Sequence, residues 1–339
     1  MLKNNDSPIF ELSMCSLENF HSSFLCWLGN NYKKEFLNLF KEELNNDIDF
    51  DKYSDESIEI KTQASDKGCK FDLQIKFING NKIEHCIIIE NKLKSFPNDE
   101  QLTKYFDIIN KQKGNTNYIF ILLSLMKIPL SGKNKDKWKN ISYSDLAKKM
   151  ENQDFYYGKN NDNKDITRYH ECLIKDYIFV IKTISNVFSK TINNSDRNKY
   201  NFYKEDENKK SELVNIDLRD IYVKFRTSEL ANYIRKKIDK NSDWKVMYSF
   251  SSKDKKGVVD IIIQLKDPNI KFIISIQGTQ YRYGFVYLEK KFNKEIKVKR
   301  EELAKKLKSY WFYDTKNPNK PRIYDGFYGY KPDFIYIKI

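Results

Sequence analysis

The sequence predicts an α/β fold in which helices flank a central mixed sheet, followed by a second, α+β domain. Two observations lead to this prediction. Over residues 1–190, stretches with apolar residues at helical spacing alternate with short apolar runs that are typical of strands. Residues 191–212 carry almost no apolar periodicity, and helical and strand patterns resume over residues 213–339. We therefore predict a first domain at 1–190, a linker at 191–212 and a second domain at 213–339.

The first domain is predicted to open with two helices and three strands. Periodicity places the helices at 16–28 and 32–45 and the strands at 57–63, 71–77 and 83–92. The strand at 71–77 alternates strictly, so Asp72, Gln74 and Lys76 are predicted on a polar face and the apolar side chains on the other. An Asn-Gly pair within residues 78–82 predicts the hairpin turn that joins this strand to the next.

Helices and one further strand complete the first domain. Pro97 interrupts the chain, Asn98 is a candidate cap, and Gln101 lies three residues on, in the position of a capping box. Further elements are predicted as a helix from residue 98, a strand at 117–125, and helices at 143–150 and 169–188. The second domain is predicted to contain a helix at 215–240, strands near 245–250, 258–265 and 271–277, and a basic helix at 289–310.

Composition narrows the class of protein. The chain has 339 residues, of which 40% are hydrophobic, so it can bury a sizeable core. No apolar run reaches the ~18 residues that a membrane span needs, and the first residues carry no secretory signal. Five cysteines form no C-x-x-C pair and three histidines are too few to suggest a structural zinc site. We expect a soluble, cytoplasmic protein with no membrane contact.

The positive charge is unevenly distributed. The formal net charge is +14, with +1 over residues 1–190 and +13 over residues 191–339. Clustered Lys and Arg attract phosphates, which predicts a nucleic-acid contact in the second domain. The candidate contacts lie in the basic helix: Lys290, Lys291, Lys294, Lys297, Lys299 and Arg300. A solvated basic surface or a protein-binding domain remains open as the alternative.

A Glu-x-Lys triplet at residues 90–92 is the strongest chemical signal. The chain contains five such triplets, beginning at residues 59, 90, 207, 289 and 295. Only the second follows a very apolar strand, has an upstream strand that carries Asp72, and precedes a helix with Gln101 and Tyr105. Glu90 and Lys92 are two residues apart on a strand, so they project from the same face. If the polar face of the neighbouring strand coincides with it, Asp72 and Glu90 converge.

Two converging carboxylates repel each other unless a cation or a donor compensates them. Mg²⁺ takes oxygen ligands, keeps several waters and accepts a phosphate oxygen. An adjacent lysine then stabilises charge on the phosphate or helps to deprotonate water. The residues therefore predict Mg²⁺-dependent hydrolysis of phosphodiester bonds, with Mn²⁺ as a substitute cation.

These residues resemble a known family. Asp72, Glu90 and Lys92 resemble the core of the PD-(D/E)XK nuclease superfamily, and Gln101, Leu102 and Tyr105 are similar to the helix motif of its RecB-like branch. Glu18 in the first helix resembles the acidic residue that this fold often adds to the metal site. The resemblance covers residues 10–190 and departs from the family pattern at Phe71, where a proline often stands.

The resemblance implies a restriction-endonuclease-like core and roles for the site residues. Asp72 and Glu90 would bind the cation with Glu18 as a further ligand, Lys92 would activate water or stabilise charge, and Gln101 would orient the site. DNA is the expected substrate, in restriction, repair or phage defence. A catalytically silent module that binds DNA or a protein is the alternative. A homodimer or a partner protein is also open, because one metal site cuts one strand.

Simpler interpretations stay open for individual residues. Asp72 and Glu90 could form strand-face salt bridges with Lys76 and Lys92, Gln101 could only cap its helix, and Tyr105 could only pack. Glu18 could be a solvated helix residue, and His21 is expected on a polar helix face.

A second pattern concerns residues 257–282, which echo residues 68–94. Asp260 corresponds to Asp72, and Gln277 and Thr279 stand in the places of Glu90 and Lys92. Either the second domain is a degenerate repeat of the core, or two unrelated hairpins share a common pattern.

Overall fold

The computed structural model describes most of the first 194 residues and parts of the remainder. The described residues are 7–15, 18–44, 48–66, 68–93, 95, 97, 99–112, 114–128, 130, 134–153, 155, 164–194, 213, 216, 218–238, 244–251, 256–264, 270–277, 280–287, 322–324 and 333–338. The chain divides into two compact units. The first comprises residues 1–194 with 212–221, and the second comprises residues 195–211 with 222–339.

The first unit contains seven helices and five strands among its described residues. The helices are α1 (Pro8–Cys15), α2 (Glu18–Asn31), α3 (Lys33–Asn38), α4 (Asp99–Gln112), α5 (Asn134–Lys137), α6 (Tyr143–Glu151) and α7 (Lys164–Asn194). The strands are β1 (Ile58–Asp66), β2 (Cys69–Asn79), β3 (Lys82–Lys92), β4 (Asn117–Ser124) and β5 (Trp138–Ser142). Two short 3₁₀ turns, Phe50–Lys52 and Asp55–Ser57, precede β1.

The five strands form one mixed sheet in the order β1-β2-β3-β4-β5. The first three pair antiparallel as hairpins, whereas β3, β4 and β5 pair parallel. The turn between β2 and β3 contains Gly80 at φ +57°, a left-handed conformation that glycine adopts without steric cost. A mixed sheet flanked by helices is the architecture that the sequence predicts for this region.

Helices cover both faces of the sheet at β3. Leu102 and Ile109 of α4 pack with Ile88 on one face, while α2 contacts β1, β2 and β3. Residues on the opposite face of β3 point towards α2, because side chains alternate along a strand. This explains why Ile87, Ile88 and Ile89 are all 0% exposed. Gln74, predicted on a polar face, is only 2% exposed for the same reason, so strict alternation did not produce a solvated face there.

Some elements differ from the sequence prediction. Helix α1, strand β5 and the short helix α5 were not predicted, and α3 ends seven residues before the predicted limit, followed by turns as far as Leu44. Helix α7 continues to Asn194, into the predicted linker, and its Ile192 is buried. Leu213, Ile216 and Leu218 are also buried, within a segment that groups with the first unit. Most of the residues 191–212 lie outside the described part, so the linker and the domain limits stay predictions.

The second unit combines a helix with an antiparallel sheet. Helix α8 (Arg219–Lys237) begins at the junction of the two units. The strands are β6 (Trp244–Ser251), β7 (Lys256–Gln264), β8 (Ile270–Gln277), β9 (Gln280–Tyr287), β10 (Arg322–Tyr324) and β11 (Asp333–Lys338). Their order is β10-β11-β9-β8-β7-β6, with every pair antiparallel. Leu230 and Ala231 of α8 pack against Val246 and Val259, which places the helix on this sheet.

The predicted repeat of the core, residues 257–282, contains strands β7 and β8, which pair as a hairpin. Asp260 pairs with Ser275 in this hairpin. The other neighbour of β8 is the antiparallel strand β9, whereas the other neighbour of β3 is the parallel strand β4. The repeat stays a hypothesis.

The predicted basic helix at 289–310, with all six of its candidate nucleic-acid contacts, lies outside the described residues. Of the helices that the structure describes, none is both long enough and apolar enough to cross a membrane.

Candidate active site

The end of strand β3 holds a buried pair of opposite charges. The Nζ atom of Lys92 lies 2.9 Å from Oε1 of Glu90, and the side chains are 11% and 2% exposed. Both residues lie where the apolar run Ile87–Ile89 ends. Desolvation of such a pair costs free energy unless further hydrogen bonds compensate it. The additional donor comes from helix α4.

Helix α4 presents two polar side chains to Glu90. The amide of Gln101 donates to Glu90 Oε1 at 2.9 Å and to the hydroxyl oxygen of Tyr105 at 3.0 Å. Gln101 and Tyr105 are four residues apart, so they share one face of the helix. The Tyr105 hydroxyl in turn donates to the carbonyl oxygen of Lys70 at 2.9 Å, which ties α4 to strand β2.

The ionisation of Tyr105 reflects the charges around it. Burial raises the pKa of its hydroxyl, and the negative charges of Glu90 and Asp72 raise the pKa further, while the Gln101 hydrogen bond and the Lys92 charge lower it. The net shift is upward, so the hydroxyl stays protonated at neutral pH and remains a donor. Three charged residues of the predicted site, Asp72, Glu90 and Lys92, therefore lie within electrostatic reach of this hydroxyl.

Asp72 is held by one donor on each carboxylate oxygen. Its Oδ2 accepts a hydrogen bond of 2.9 Å from the backbone N–H of Asn91, the residue between Glu90 and Lys92. Its Oδ1 accepts a longer hydrogen bond of 3.4 Å from the amide of Gln63 on β1. Asp72 therefore lies beside the Glu90–Lys92 pair and hydrogen-bonds to Asn91 and Gln63 rather than pairing with Lys76.

A buried polar network supports β3 from the opposite side. The Asn91 side chain accepts from the Tyr143 hydroxyl at 2.7 Å and donates to Ser22 Oγ at 3.0 Å. Tyr143 also hydrogen-bonds to Tyr177 of α7, and Tyr177 lies 3.3 Å from Nδ1 of His21. His21 was predicted on a polar helix face but is fully buried, because the rings of Tyr143 and Tyr177 pack against its imidazole. The network connects α2, α6 and α7 to the strand that carries the charged pair.

The carboxylate oxygens beside the C-terminal end of β3 fit a divalent cation. Mg²⁺ is typically bound through one or two protein carboxylates, with waters and phosphate oxygens completing its shell. Asp72 and Glu90 supply two such carboxylates beside a lysine. Among the described residues no group of three or more His, Cys, Asp or Glu side chains is arranged to hold a metal. Glu18 begins helix α2, but its side chain lies outside the described part of the chain, so its role as a ligand stays a prediction.

The structure brings together five residues that the sequence singles out and adds two more. Asp72, Glu90, Lys92, Gln101 and Tyr105 form one connected group. Gln63 and Asn91 were not predicted. Asn91 had a sequence signal, since it is a polar residue on a very apolar strand between two charged ones. Gln63 had none, because its importance depends on a backbone conformation that no local pattern indicates.

The first unit is thus an α/β structure whose acidic, lysine-containing centre lies at the C-terminal end of β3. Residues 8–170 match the family model of the PD-(D/E)XK nuclease superfamily. This part of the chain is similar to that superfamily, and its core, a five-stranded mixed sheet flanked by helices, has the restriction-endonuclease-like architecture. No curated protein and no solved structure matches the chain. Membership of the RecB-like branch stays a prediction.

Proposed function

We propose that this protein is a Mg²⁺-dependent nuclease that hydrolyses phosphodiester bonds of DNA. The observation that supports the proposal most directly is the buried Glu90 carboxylate. Its Oε1 atom contacts the Lys92 ammonium and accepts a hydrogen bond from the Gln101 amide. The backbone N–H of the next residue, Asn91, donates to Asp72. A structural salt bridge needs no second acid beside it, whereas a metal-dependent phosphodiesterase site uses neighbouring carboxylates that can share a cation.

Each residue has a distinct role in this proposal. Asp72 and Glu90 would hold the cation, which when bound supplies Lewis acidity and a lowered pKa for water. Lys92 places a positive charge beside Glu90 and stabilises the negative charge that develops on the phosphate. Gln101 fixes the orientation of the Glu90 carboxylate, and Tyr105 fixes Gln101 through its own hydrogen bonds to the amide and to the backbone of Lys70.

Several finer features belong to the same proposal. Mn²⁺ would substitute for Mg²⁺, because both accept oxygen ligands. The positive charge after residue 190 would contribute contacts to nucleic acid. Cleavage of both strands of a duplex would require a homodimer or a partner protein. We also propose that the protein acts in the cytoplasm, in restriction, repair or phage defence.

The test is cleavage of plasmid, single-stranded DNA and RNA, in Mg²⁺ and in EDTA. We expect wild-type protein to cleave DNA only with the cation. Glu90→Gln and Lys92→Met keep side-chain volume and should each lower the rate by at least about 100-fold. The first removes a carboxylate that would hold the cation, and the second removes the positive charge that stabilises the reacting phosphate. Circular dichroism should show that both variants remain folded.

A matched control exists on strand β1. Glu59 and Lys61 form the same Glu-x-Lys ion pair but are 37% and 61% exposed. Glu59→Gln and Lys61→Met should retain full activity. Equal cleavage by wild type, Glu90→Gln and Lys92→Met would refute the proposal. Metal-independent DNA binding without cleavage would favour the alternative of a catalytically silent module.

A further inference from the structure

Gln63 has a backbone conformation that its residue type rarely adopts. Its φ is +49°, and it is the one non-glycine residue with positive φ in the described part of the chain. A Cβ-bearing residue in this left-handed region is sterically disfavoured. The conformation is more unusual still because Gln63 lies within strand β1 rather than in a turn.

The strand remains in register around this residue. Thr62 pairs with Leu73 and Ala64 pairs with Phe71, so the position opposite Gln63 belongs to Asp72. The 63/72 position itself is absent from the ladder, which then resumes without a shift. The irregularity is therefore confined to the one position that faces an acidic residue of the candidate site.

The amide of Gln63 connects two elements of the site. Its Nε2 lies 3.4 Å from Asp72 Oδ1 and 3.2 Å from Asn19 Oδ1 in the first turn of α2. An amide nitrogen carries two hydrogens, so both hydrogen bonds form together. Asp72 thus receives a side-chain donor on Oδ1 as well as the backbone donor of Asn91 on Oδ2. These two hydrogen bonds limit rotation of the carboxylate.

We propose that Gln63 is a positioning residue that orients Asp72 for cation binding, and that its left-handed backbone is retained for this purpose. The inference rests on the proposed function, in which Asp72 is a metal ligand. Strained residues persist where the surrounding structure enforces them, and they cluster at functional sites. Residues that hydrogen-bond to a metal ligand influence metal affinity and activity through that ligand.

Gln63→Gly separates this role from a structural one. Glycine adopts the left-handed conformation without strain but cannot donate to Asp72. We expect the Tm of this variant to equal or exceed that of wild type. We expect its affinity for Mg²⁺, measured by isothermal titration calorimetry, and its DNA cleavage rate to fall by about 10- to 100-fold.

Lys61→Gly is the matched control. Lys61 lies two residues away on the same strand, has an exposed side chain and does not have a positive φ. Glycine in a regular strand costs stability, so we expect this variant to have a lower Tm with unchanged Mg²⁺ affinity and cleavage. Gln63→Gly should therefore lower Mg²⁺ affinity and cleavage without lowering the Tm, whereas Lys61→Gly should lower the Tm without lowering Mg²⁺ affinity or cleavage.

The outcomes distinguish this inference from the proposed function. If Glu90→Gln loses Mg²⁺ affinity and cleavage but Gln63→Gly matches wild type in both, the role of Gln63 is wrong and the proposed function stands. A lower Tm for Gln63→Gly with unchanged affinity would show that the residue is only structural. If wild-type protein binds no divalent cation, both proposals fail.

Discussion

Glu90–Lys92 and Glu59–Lys61 are the same residue pair in two different environments. The exposed pair on β1 is solvated and screened, and such pairs contribute about 0–1 kcal/mol to stability. The pair at the end of β3 is almost fully buried, where removal of one partner typically costs about 3–5 kcal/mol because the other charge is left unpaired. Burial, rather than the spacing of the two residues, distinguishes a candidate site from an ordinary salt bridge.

A buried histidine makes stability depend on pH. Burial lowers the pKa of His170, whose Nδ1 lies 3.1 Å from the Tyr32 hydroxyl. Below about pH 6.5 the unfolded chain therefore takes up a proton more readily than the folded chain, and stability falls with falling pH. We expect the urea midpoint of wild type to decrease from pH 7 to pH 5, and His170→Gln to reduce that decrease. Identical pH dependence in the two proteins would contradict this expectation.

At the scale of elements, β3 is fixed by different means on its two faces. Helix α4 reaches Glu90 through Gln101, whereas α2 and α6 reach Asn91 through Ser22 and Tyr143. Buried polar networks of this kind are stabilising only when each member is satisfied. The position of the charged pair therefore depends on helices that lie on both sides of the sheet.

Tyr143→Phe tests the buried network. The change keeps the ring but removes the hydroxyl that donates to Asn91 Oδ1 at 2.7 Å. Removing one partner of a buried hydrogen bond costs about 1–3 kcal/mol, so we expect that loss in the free energy of unfolding in urea. Tyr169→Phe is the control, since Tyr169 is 61% exposed and should change stability by less than about 0.5 kcal/mol. A Tyr143→Phe protein as stable as the control would show that the network adds no stability.

At the scale of the whole molecule, the two units differ in charge and in chemistry. The first contains the superfamily match and the candidate site, and it carries little net charge. Most of the +14 net charge lies after residue 190. We therefore hypothesise that the first unit cleaves nucleic acid and that the residues after 190 supply most of the sequence-independent affinity for it. A fragment ending at residue 190 would test it poorly, because it would omit the end of α7 and the buried Leu213, Ile216 and Leu218.

Full-length variants test this division by salt dependence. Each phosphate that a lysine neutralises contributes about −0.9 to the slope of log affinity against log salt on duplex DNA. Replacing Lys290, Lys291 and Lys294 by Gln should weaken DNA binding in EDTA and make the slope shallower by about 0.9 for each phosphate that is no longer neutralised. The control replaces the exposed Lys41, Lys175 and Lys190 of the first unit. Equal slopes in both variants would locate the nucleic-acid interface elsewhere.

Local patterns were sufficient to predict much of the first unit. Strand periodicity and the Asn-Gly turn predicted β2 and β3, and the apolar run before Glu90 predicted a strand that ends at a polar site. These features depend on residues close together in the chain, which is why the sequence alone predicts them. Strand β5 was missed because it is short and its pattern resembles that of a loop.

Patterns in the sequence alone were enough to predict the α/β class of the first unit, its central hairpin, and the candidate residues Asp72, Glu90, Lys92 and Gln101. Three features became visible only in the folded chain: Glu90 is buried and shared by Lys92 and Gln101, Asn91 hydrogen-bonds to Ser22 and Tyr143, and Gln63 faces Asp72 in a left-handed conformation. This difference arises from sequence separation. Period and turn chemistry act between neighbouring residues, whereas desolvation and these hydrogen bonds require side chains far apart in the chain to be brought together by packing.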